Sequence, residues 1–284
     1  MIPLRSVLVA TDFSPGAKLA LNQAARLPLG AGAVITVLHV LPARLGPVSA
    51  PRAVAAARQA LEEAGRAVAG RVPRNRGITI RPTLSRGNPV EGILRGGRRA
   101  KADVIVVGRH GRRTVRELLL GSTVERVIRR ADRPILITGT GRGAYRRPLV
   151  AVDDSPAAWG VVDIALRLVG PHTRALRVVH MCAMPFEGVL LRATTARSVM
   201  EYRRECVADA RDRLARILAR TILPITLTVR GGDPRRGILA VARRHSADLI
   251  ALGHGRSGVR HALLGSVAEA VVRAATRDVL VTRL

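Results

Sequence analysis

A glycine-rich segment has the residue types and the spacing best suited to chemistry in this chain. It reads Gly108-Arg109-His110-Gly111, and nine further residues separate it from Gly121-Ser122. The apolar run Val104 to Val107 comes before it and a helical pattern follows it. Backbone N–H groups at a helix N-terminus have no intrahelical partner and attract anions, and glycines let the backbone approach a phosphate closely. A strand, a glycine loop and a helix start in this order predict a phosphate cradle.

Side chains on two neighbouring strand ends complete the predicted site. Ligands of open parallel sheets bind outside the carboxyl ends of the strands. Asp12 would therefore accept hydrogen bonds from ribose hydroxyls or a base amine, and Val40 would form a wall beside adenine. We expect phosphate contacts through N–H groups and a hydroxyl from one set of residues: Gly108, Gly111, Gly121 and Ser122. We expect added positive charge from a second set: Arg109, His110, Arg112 and Arg113.

Alternating strand and helix patterns position these residues. Short apolar runs with little polar alternation predict buried strands of a parallel sheet covered on both faces. Pro82 places the third strand at an edge or makes it end there, because proline cannot donate a ladder hydrogen bond. The predicted strands of the first half are 4–10, 33–40, 78–84, 104–107 and 134–138, and the predicted helices begin near residues 14, 52, 87 and 121.

The pattern then starts again after the glycine-rich segment 139–143. Leu149 to Pro156 repeats the sequence from Leu8 to Pro15, and further matches follow in the same order to the end of the chain. A repeat this long is the duplication of a whole domain. We therefore predict two domains, at residues 1–140 and 146–284.

The two copies differ inside the glycine loop. The first reads Gly108-Arg109-His110-Gly111, whereas the second reads Gly253-His254-Gly255 and is one residue shorter. Losing a residue moves N–H groups by up to about 3.8 Å, more than a hydrogen bond tolerates. Either the second site is degenerate, or it holds a ligand with altered geometry.

With these residues in view, the chain resembles a tandem universal stress protein. The resemblance rests on Asp12-Phe13-Ser14, on the strand end Leu38-His39-Val40 and on the Gly-x-x-Gly-nine-Gly-Ser spacing, and it covers nearly the whole chain twice. It implies two Rossmann-like α/β domains of the adenine nucleotide alpha-hydrolase-like type, each with a five-stranded parallel sheet and helices on both faces. It also implies ATP as the cofactor and pairing of the two domains through their fifth strands.

The resemblance also implies a set of ligand-binding residues in each copy. In the first copy these are Thr11, Asp12, Val40, Gly108, Gly111, Gly121, Ser122 and Thr123. In the second copy the matching positions are Asp153, Gly253, Gly255, Gly265, Ser266 and Val267, whereas Val152 and Met181 replace Thr11 and Val40. Magnesium could accompany ATP, but the sequence names no metal ligands.

Composition excludes some classes of protein and leaves one rival open. No apolar run reaches the roughly 18 residues of a membrane helix, so we expect a cytoplasmic protein whose two cysteines, Cys182 and Cys206, are free thiols. The net charge of +28 comes almost wholly from arginines spread along the chain. An association with nucleic acid or another polyanion therefore stays open, as does a homodimer.

Catalysis has little support in the sequence. The chain lacks the Gly-Lys-Ser/Thr of a Walker-type loop. His39 and His180 recur at equivalent positions inside apolar strand ends, which favours a structural role. The leading hypothesis is an ATP-binding stress-response module with at most slow hydrolysis. A polyanion-binding protein is the first alternative and an adenylyl-transferring enzyme the second.

Overall fold

The computed structural model describes residues 2–44, 49–111, 120–139, 143–170, 173, 175–182, 184–221, 223–254 and 265–283. Arg112, Arg113 and Gly255 of the predicted sites lie outside these ranges. The first half comprises β1 (Leu4–Ala10), α1 (Pro15–Ala24), β2 (Leu29–Leu41), α2 (Ser49–Ala69), a 3₁₀ turn (Arg74–Arg76), β3 (Thr79–Arg86), α3 (Pro89–Arg99), β4 (Val104–Gly108), α4 (Ser122–Arg130) and β5 (Ile135–Thr138).

The second half repeats this order with one added helix. It comprises β6 (Pro148–Ala151), α5 (Ala158–Val169), β7 (Leu176–Cys182), α6 (Glu187–Ala193), α7 (Ala196–Leu218), β8 (Ile225–Gly231), α8 (Pro234–Arg244), β9 (Leu249–His254), α9 (Ser266–Ala274) and β10 (Asp278–Arg283). Helix α6 has no counterpart in the first half and was not predicted from the sequence.

All ten strands form one sheet in the order β3-β2-β1-β4-β5-β10-β9-β6-β7-β8. Strands within each half are parallel, which confirms the predicted fold class. The two halves meet where β5 pairs antiparallel with β10, with Leu136 opposite Leu280. Strand β3 lies at one edge, as Pro82 predicted.

Strand β2 begins earlier than its apolar pattern suggested. It starts at Leu29 rather than near Ala33, and its pairing with β1 shifts between Leu4 and Ser6. Gly32 supplies a positive φ of 70° within the irregular part, a conformation that glycine adopts at little cost. The glycines in this part of the strand interrupt the apolar run, so the sequence pattern did not predict it as strand.

Helices cover both faces of the sheet. Helices α1, α2, α5 and α7 pack on one face and α3, α4, α8 and α9 on the other. Apolar strand residues alternate between the two layers: Val7 and Val9 lie in one core, and Leu8 lies in the other. Among the described residues, no helix has both the length and the apolar character needed to cross a membrane.

Helix starts follow the sequence signals. The Ser14 hydroxyl accepts a hydrogen bond from the Ala17 N–H at 3.2 Å, and the Asn88 side chain caps α3 in the same way. A proline follows each cap at the first helical position, where its missing N–H costs nothing. The turn after β1 is thereby locked to the first residues of α1.

Candidate functional site

The carboxyl ends of β1 and β4 lie side by side and bring two loops together. Gly108 ends β4 against the start of α1, so closely that a Cβ atom on it would lie 2.4 Å from the backbone of Gly16. A Cβ on Gly16 would in turn lie 2.3 Å from the His110 carbonyl oxygen. Real Cβ atoms do not approach so closely, so both glycines are required for this packing. The glycine loop therefore sits directly on the turn after β1.

That turn, Thr11 to Ser14, is held by its own side chains. The Phe13 N–H donates to the Thr11 hydroxyl at 3.0 Å, and the Ser14 N–H donates to the Asp12 carboxylate at 3.0 Å. Phe13 has a φ of 63°, an uncommon value for an aromatic residue. Strained backbone of this kind is concentrated at functional sites.

Asp12 and Gly111 are brought together across the two loops. A Cβ on Gly111 would lie 2.7 Å from Oδ2 of Asp12. Glycine at this position therefore lets the loop backbone lie against the carboxylate. The structure thus places in one cluster two residues that the sequence pattern had assigned to one site.

Helix α4 begins beside this cluster. The Gly121 N–H donates to the Arg109 carbonyl at 3.1 Å, and a Cβ on Gly121 would lie 3.8 Å from the Gly111 nitrogen. No side chain among the described residues caps α4, which leaves N–H groups of its first turn to bind an anion. Ser122 is exposed and Thr123 is half-buried at this helix end. The arrangement has the donors that bind phosphate or carboxylate groups.

Arg109 is placed differently from the other loop residues. Its guanidinium donates to the carbonyl groups of Val272 at 2.7 Å and Arg277 at 3.4 Å, both in the second half of the chain. The side chain is 7% exposed, and this burial lowers the pKa of Arg109, while the charge of Asp278 opposes the shift. In the structure Arg109 joins the two halves of the chain.

His110 has an unusual ring environment. Its Nδ1 is buried and has no hydrogen-bond partner among the described residues. Its carbonyl oxygen accepts a hydrogen bond from the Ser14 hydroxyl at 3.4 Å. A buried polar atom without a partner costs free energy unless a ligand or water satisfies it.

Val40 is half-buried at the end of β2 and packs against α3. A Cβ on Gly92 would lie 2.7 Å from Cγ2 of Val40, so glycine lets the helix approach. Sequence reasoning missed both Gly16 and Gly92. A glycine within a helix usually has a packing reason, and this signal was available at both positions.

The two recurrent histidines have structural roles, as predicted. Nδ1 of His39 lies 2.7 Å from the Thr11 carbonyl oxygen, and Nδ1 of His180 lies 2.9 Å from that of Val152. An Nδ1–H group can donate in both cases. The His39 ring also packs on Phe13, with ring centroids 4.5 Å apart. Each histidine ties the loop after the first strand of its half to the second strand.

The second half builds its carboxyl edge differently. Asp153 is exposed and accepts hydrogen bonds only within its own turn, from Ser155, among the contacts resolved for it. The next carboxylate, Asp154, pairs with Arg213 of α7 at 2.6 Å. Burial raises the pKa of Asp154, but the hydrogen bond and charge of Arg213, a backbone hydrogen bond and the charge of His180 together outweigh it, so the net shift is downward. Ala157 stands where the first half has Gly16, so its Cβ excludes the same close packing of loop on helix.

The other predicted ligand-binding residues of the second half differ in how exposed they are. Gly253 and His254 end β9, and burial lowers the pKa of His254, helped by the charge of Arg283. Gly265 and Ser266 are exposed at the start of α9, and Val267 is half-buried. The described residues at the start of α9 are therefore mostly exposed.

Methionines fill the second-half counterpart of the Val40 wall. Met181 and Met184 pack against Gly237 and Gly231. A Cβ atom on Gly237 would lie 2.3 Å from Cε of Met181, and one on Gly231 would lie 2.2 Å from Cε of Met184. A cavity of about 700 Å³ lies nearby, lined by Met184 and Gly231 and by arginines of α7.

No group of three or more histidine, cysteine or acidic side chains among the described residues could hold a metal ion. Cys182 and Cys206 are not joined by a disulfide, as expected.

Comparisons with known proteins bear on the whole chain. A universal stress protein of Mycolicibacterium smegmatis is 27% identical over 98% of this chain and 96% of its own length. One from Mycobacterium bovis is 28% identical over 64% of this chain and 62% of its own length.

Solved structures share the tandem fold. A universal stress protein from Archaeoglobus fulgidus has a TM-score of 0.72 at 20% identity and covers 98% of both chains. A second, from Pseudomonas aeruginosa, has a TM-score of 0.64 at 18% identity, covering 99% of this chain and 93% of its own. The model of the universal stress protein family matches residues 3–139 and again 144–283. The chain therefore belongs to the universal stress protein family and carries two of its domains in tandem.

Proposed function

We propose that the carboxyl edge of the first half binds an adenine nucleotide, ATP, and that the protein acts as a nucleotide-dependent regulatory or partner-binding module in a stress response. The observation that carries the proposal is the contact between Asp12 and Gly111. It brings a carboxylate suited to ribose or base N–H and O–H groups next to a glycine backbone suited to phosphate.

The residues present fit a nucleotide. The uncapped start of α4 supplies N–H groups, and Ser122 and Thr123 add hydroxyls. Nδ1 of His110, buried without a partner among the described residues, would gain one from a bound phosphate. Val40 would contact the base, with Thr11 holding the turn that carries Asp12. When bound, ATP would supply a polyphosphate that accepts hydrogen bonds from these groups. Magnesium stays a proposal without named ligands.

We propose weaker binding in the second half. Asp153 is exposed, Asp154 is paired with Arg213, and Ala157 prevents the loop packing of the first half. No residue is proposed as catalytic. Gly253, Gly265, Ser266 and Val267 are the positions through which residual binding would occur.

A pair of equivalent substitutions tests the proposal. Gly121→Val changes the residue that precedes α4, and Gly265→Val changes the equivalent residue that precedes α9. A Cβ at Gly121 meets only ordinary contacts, from 3.5 Å, so the fold should survive while the added methyl groups crowd the cradle. Calorimetric titration with ATP should show at least a tenfold loss of affinity for Gly121→Val and less than a twofold change in the tighter site for Gly265→Val.

Mass spectrometry of small molecules released from freshly purified protein identifies the ligand independently. An adenine nucleotide present in the parent protein and absent from Gly121→Val supports the proposal. Unchanged ATP affinity in Gly121→Val, or loss in Gly265→Val alone, would sink the assignment to the first half.

A further inference from the structure

A second recess lies in the second half of the chain, where its strands begin. It has a volume of about 540 Å³. Its lining includes three arginines and a histidine from three different segments: Arg146, Arg147, Arg177 and His245. No carboxylate is among the described residues that line it. Because β5 pairs antiparallel with β10, this amino-edge pocket lies along the same edge of the sheet as the nucleotide site. The two sites share no residue, and five strands separate β1 from β7 in the sheet.

The fold itself gathers these cations. Helix α8 runs back along the sheet after β8, so its last turn and His245 arrive at the start of β7, which carries Arg177. Arg177 pairs with Leu149 of β6 on one side and with Thr226 of β8 on the other. Arg177 is half-buried on an interior strand and lines the recess. An arginine is unusual there, because positions on interior strands of a parallel sheet are commonly apolar.

The positive charges are close enough to act on one another. Burial lowers the pKa of His245, and the charges of Arg177, Arg244 and Arg230 lower it further. Among the described residues, no ion pair is formed by Arg177, Arg230 or Arg244. The carboxylate of Asp248, which follows the lining residue Ala247 in the chain, accepts hydrogen bonds from the backbone N–H groups of Arg146 and Arg147, at 2.7 to 3.1 Å.

The first half lacks the central features of this pocket. In the matching register, Thr36 pairs with Leu8 as Arg177 pairs with Leu149, and Thr36 is buried. Ala100 stands at the His245 position and Ser6 at that of Arg147, although Arg5, Arg81 and Arg99 retain some charge. A uniform arginine bias of the composition would have charged both halves alike. The second half therefore concentrates positive charge at one place.

We propose that the amino-edge pocket binds the phosphate groups of a small, multiply phosphorylated anion, through the guanidinium groups of Arg146, Arg147 and Arg177 and the ring of His245. Guanidinium groups bind phosphate oxygens through paired, charge-assisted hydrogen bonds. A recess walled by several segments fits a compact anion, whereas a nucleic-acid backbone needs an open track.

Pyrophosphate is the probe, and the His245 ring signal in NMR spectra of the full chain is the readout. The signal is assigned by its loss in His245→Ala, which installs the first-half residue. In buffer of low ionic strength, pyrophosphate should shift the signal saturably and raise the pKa of His245, because an anion stabilises the imidazolium. Arg177→Gln should weaken binding at least tenfold.

A matched control removes the same charge elsewhere. Arg58→Gln, on the exposed face of α2, should change pyrophosphate affinity less than twofold. Equal weakening in both variants would mean that only net charge matters and would overturn the proposal, as would a His245 signal that does not respond. If Arg177→Gln does not fold, the double change of the exposed Arg146 and Arg147 to Gln makes the same test.

Two further measurements complete the test. One distinguishes a small anion from nucleic acid as the ligand, and the other distinguishes this pocket from the nucleotide site. A short duplex DNA that shifts His245 more tightly than pyrophosphate, and loses this effect in Arg177→Gln, would overturn the small-anion proposal in favour of a nucleic-acid surface. Gly121→Val should leave the response of His245 to pyrophosphate unchanged. The nucleotide proposal and this one therefore fail independently.

Discussion

The Tyr145 hydroxyl donates a hydrogen bond to Oδ2 of Asp278 at 2.8 Å. The other oxygen of the same carboxylate accepts the Gly139 N–H at 2.8 Å. One side chain at the start of β10 thus holds both ends of the segment that connects the two halves of the chain. Burial raises the pKa of Tyr145, and the negative charge of Asp278 raises it further, so the phenol stays a donor.

Tyr145→Phe should lower the free energy of unfolding by about 1.5–3 kcal/mol, because it removes a buried hydrogen bond to a charged group. Denaturant unfolding measures the change. The control is Tyr202→Phe, whose hydroxyl accepts a 3.4 Å hydrogen bond from the Phe186 N–H at a partly exposed site, and it should cost less than about 1 kcal/mol. Equal costs for the two variants would contradict a special role for the Asp278 contact.

Gly16→Ala should destabilise the protein by about 1–3 kcal/mol and also weaken ATP binding, because the new Cβ collides with the His110 carbonyl. Thermal unfolding and ATP titration measure the two effects. Gly188→Ala, a helical position where a Cβ meets nothing within 4 Å, should be neutral or slightly stabilising. A Gly16→Ala protein as stable as the parent would show that the loop does not pack on α1 in solution.

Asp103→Asn should lower stability near neutral pH by about 1–2 kcal/mol. Asp103 accepts hydrogen bonds from the Arg5 and Ser6 N–H groups and pairs with Arg167 of α5 at 2.6 Å, across the two halves. Burial raises the pKa of Asp103, but hydrogen bonds from Ser6, Arg167 and Arg5 outweigh it, so the net shift is downward.

This lowered pKa sets the pH dependence. The stabilisation is fully present above the pKa of the unfolded state and is lost as pH falls through the lower pKa of the folded state. The difference between Asp103→Asn and the parent should therefore be constant above about pH 5 and shrink below about pH 4. Asp132→Asn breaks an exposed 3.9 Å pair with Arg98 and should cost at most about 0.5 kcal/mol. A difference that widened in acid would contradict the assignment.

Arg109→Met separates two roles for one side chain. If Arg109 joins the halves through the Val272 carbonyl, the substitution should cost about 1.5–3 kcal/mol of stability while ATP affinity changes less than threefold. Chemical denaturation and calorimetry measure both quantities. Loss of ATP binding at unchanged stability would instead assign Arg109 to the phosphates, as the sequence pattern predicted.

Local signals in the sequence were sufficient for the order of the strands, for every helix except α6, and for several positions. Proline and cap residues located helix starts at Pro15 and Pro89, and Pro82 placed β3 at an edge, because these residues act on their own backbone. The duplicated pattern predicted two halves, and the recurrence of His39 and His180 in apolar strand ends predicted their structural role. The glycine spacing marked the segment that packs against Asp12.

Contacts between distant segments were decided only by the tertiary structure. The sequence could not show that Gly16 is needed by a carbonyl 94 positions away, or that Arg109 turns to the second half, since neither contact leaves a periodic trace. Nor could it show that Arg177 and His245 meet at the start of β7. These relationships depend on which strands become neighbours and on where each helix ends. The sequence thus determined most of the elements and the glycine spacing, because these depend on local chemistry, and the packing of the sheet decided which charges face one another.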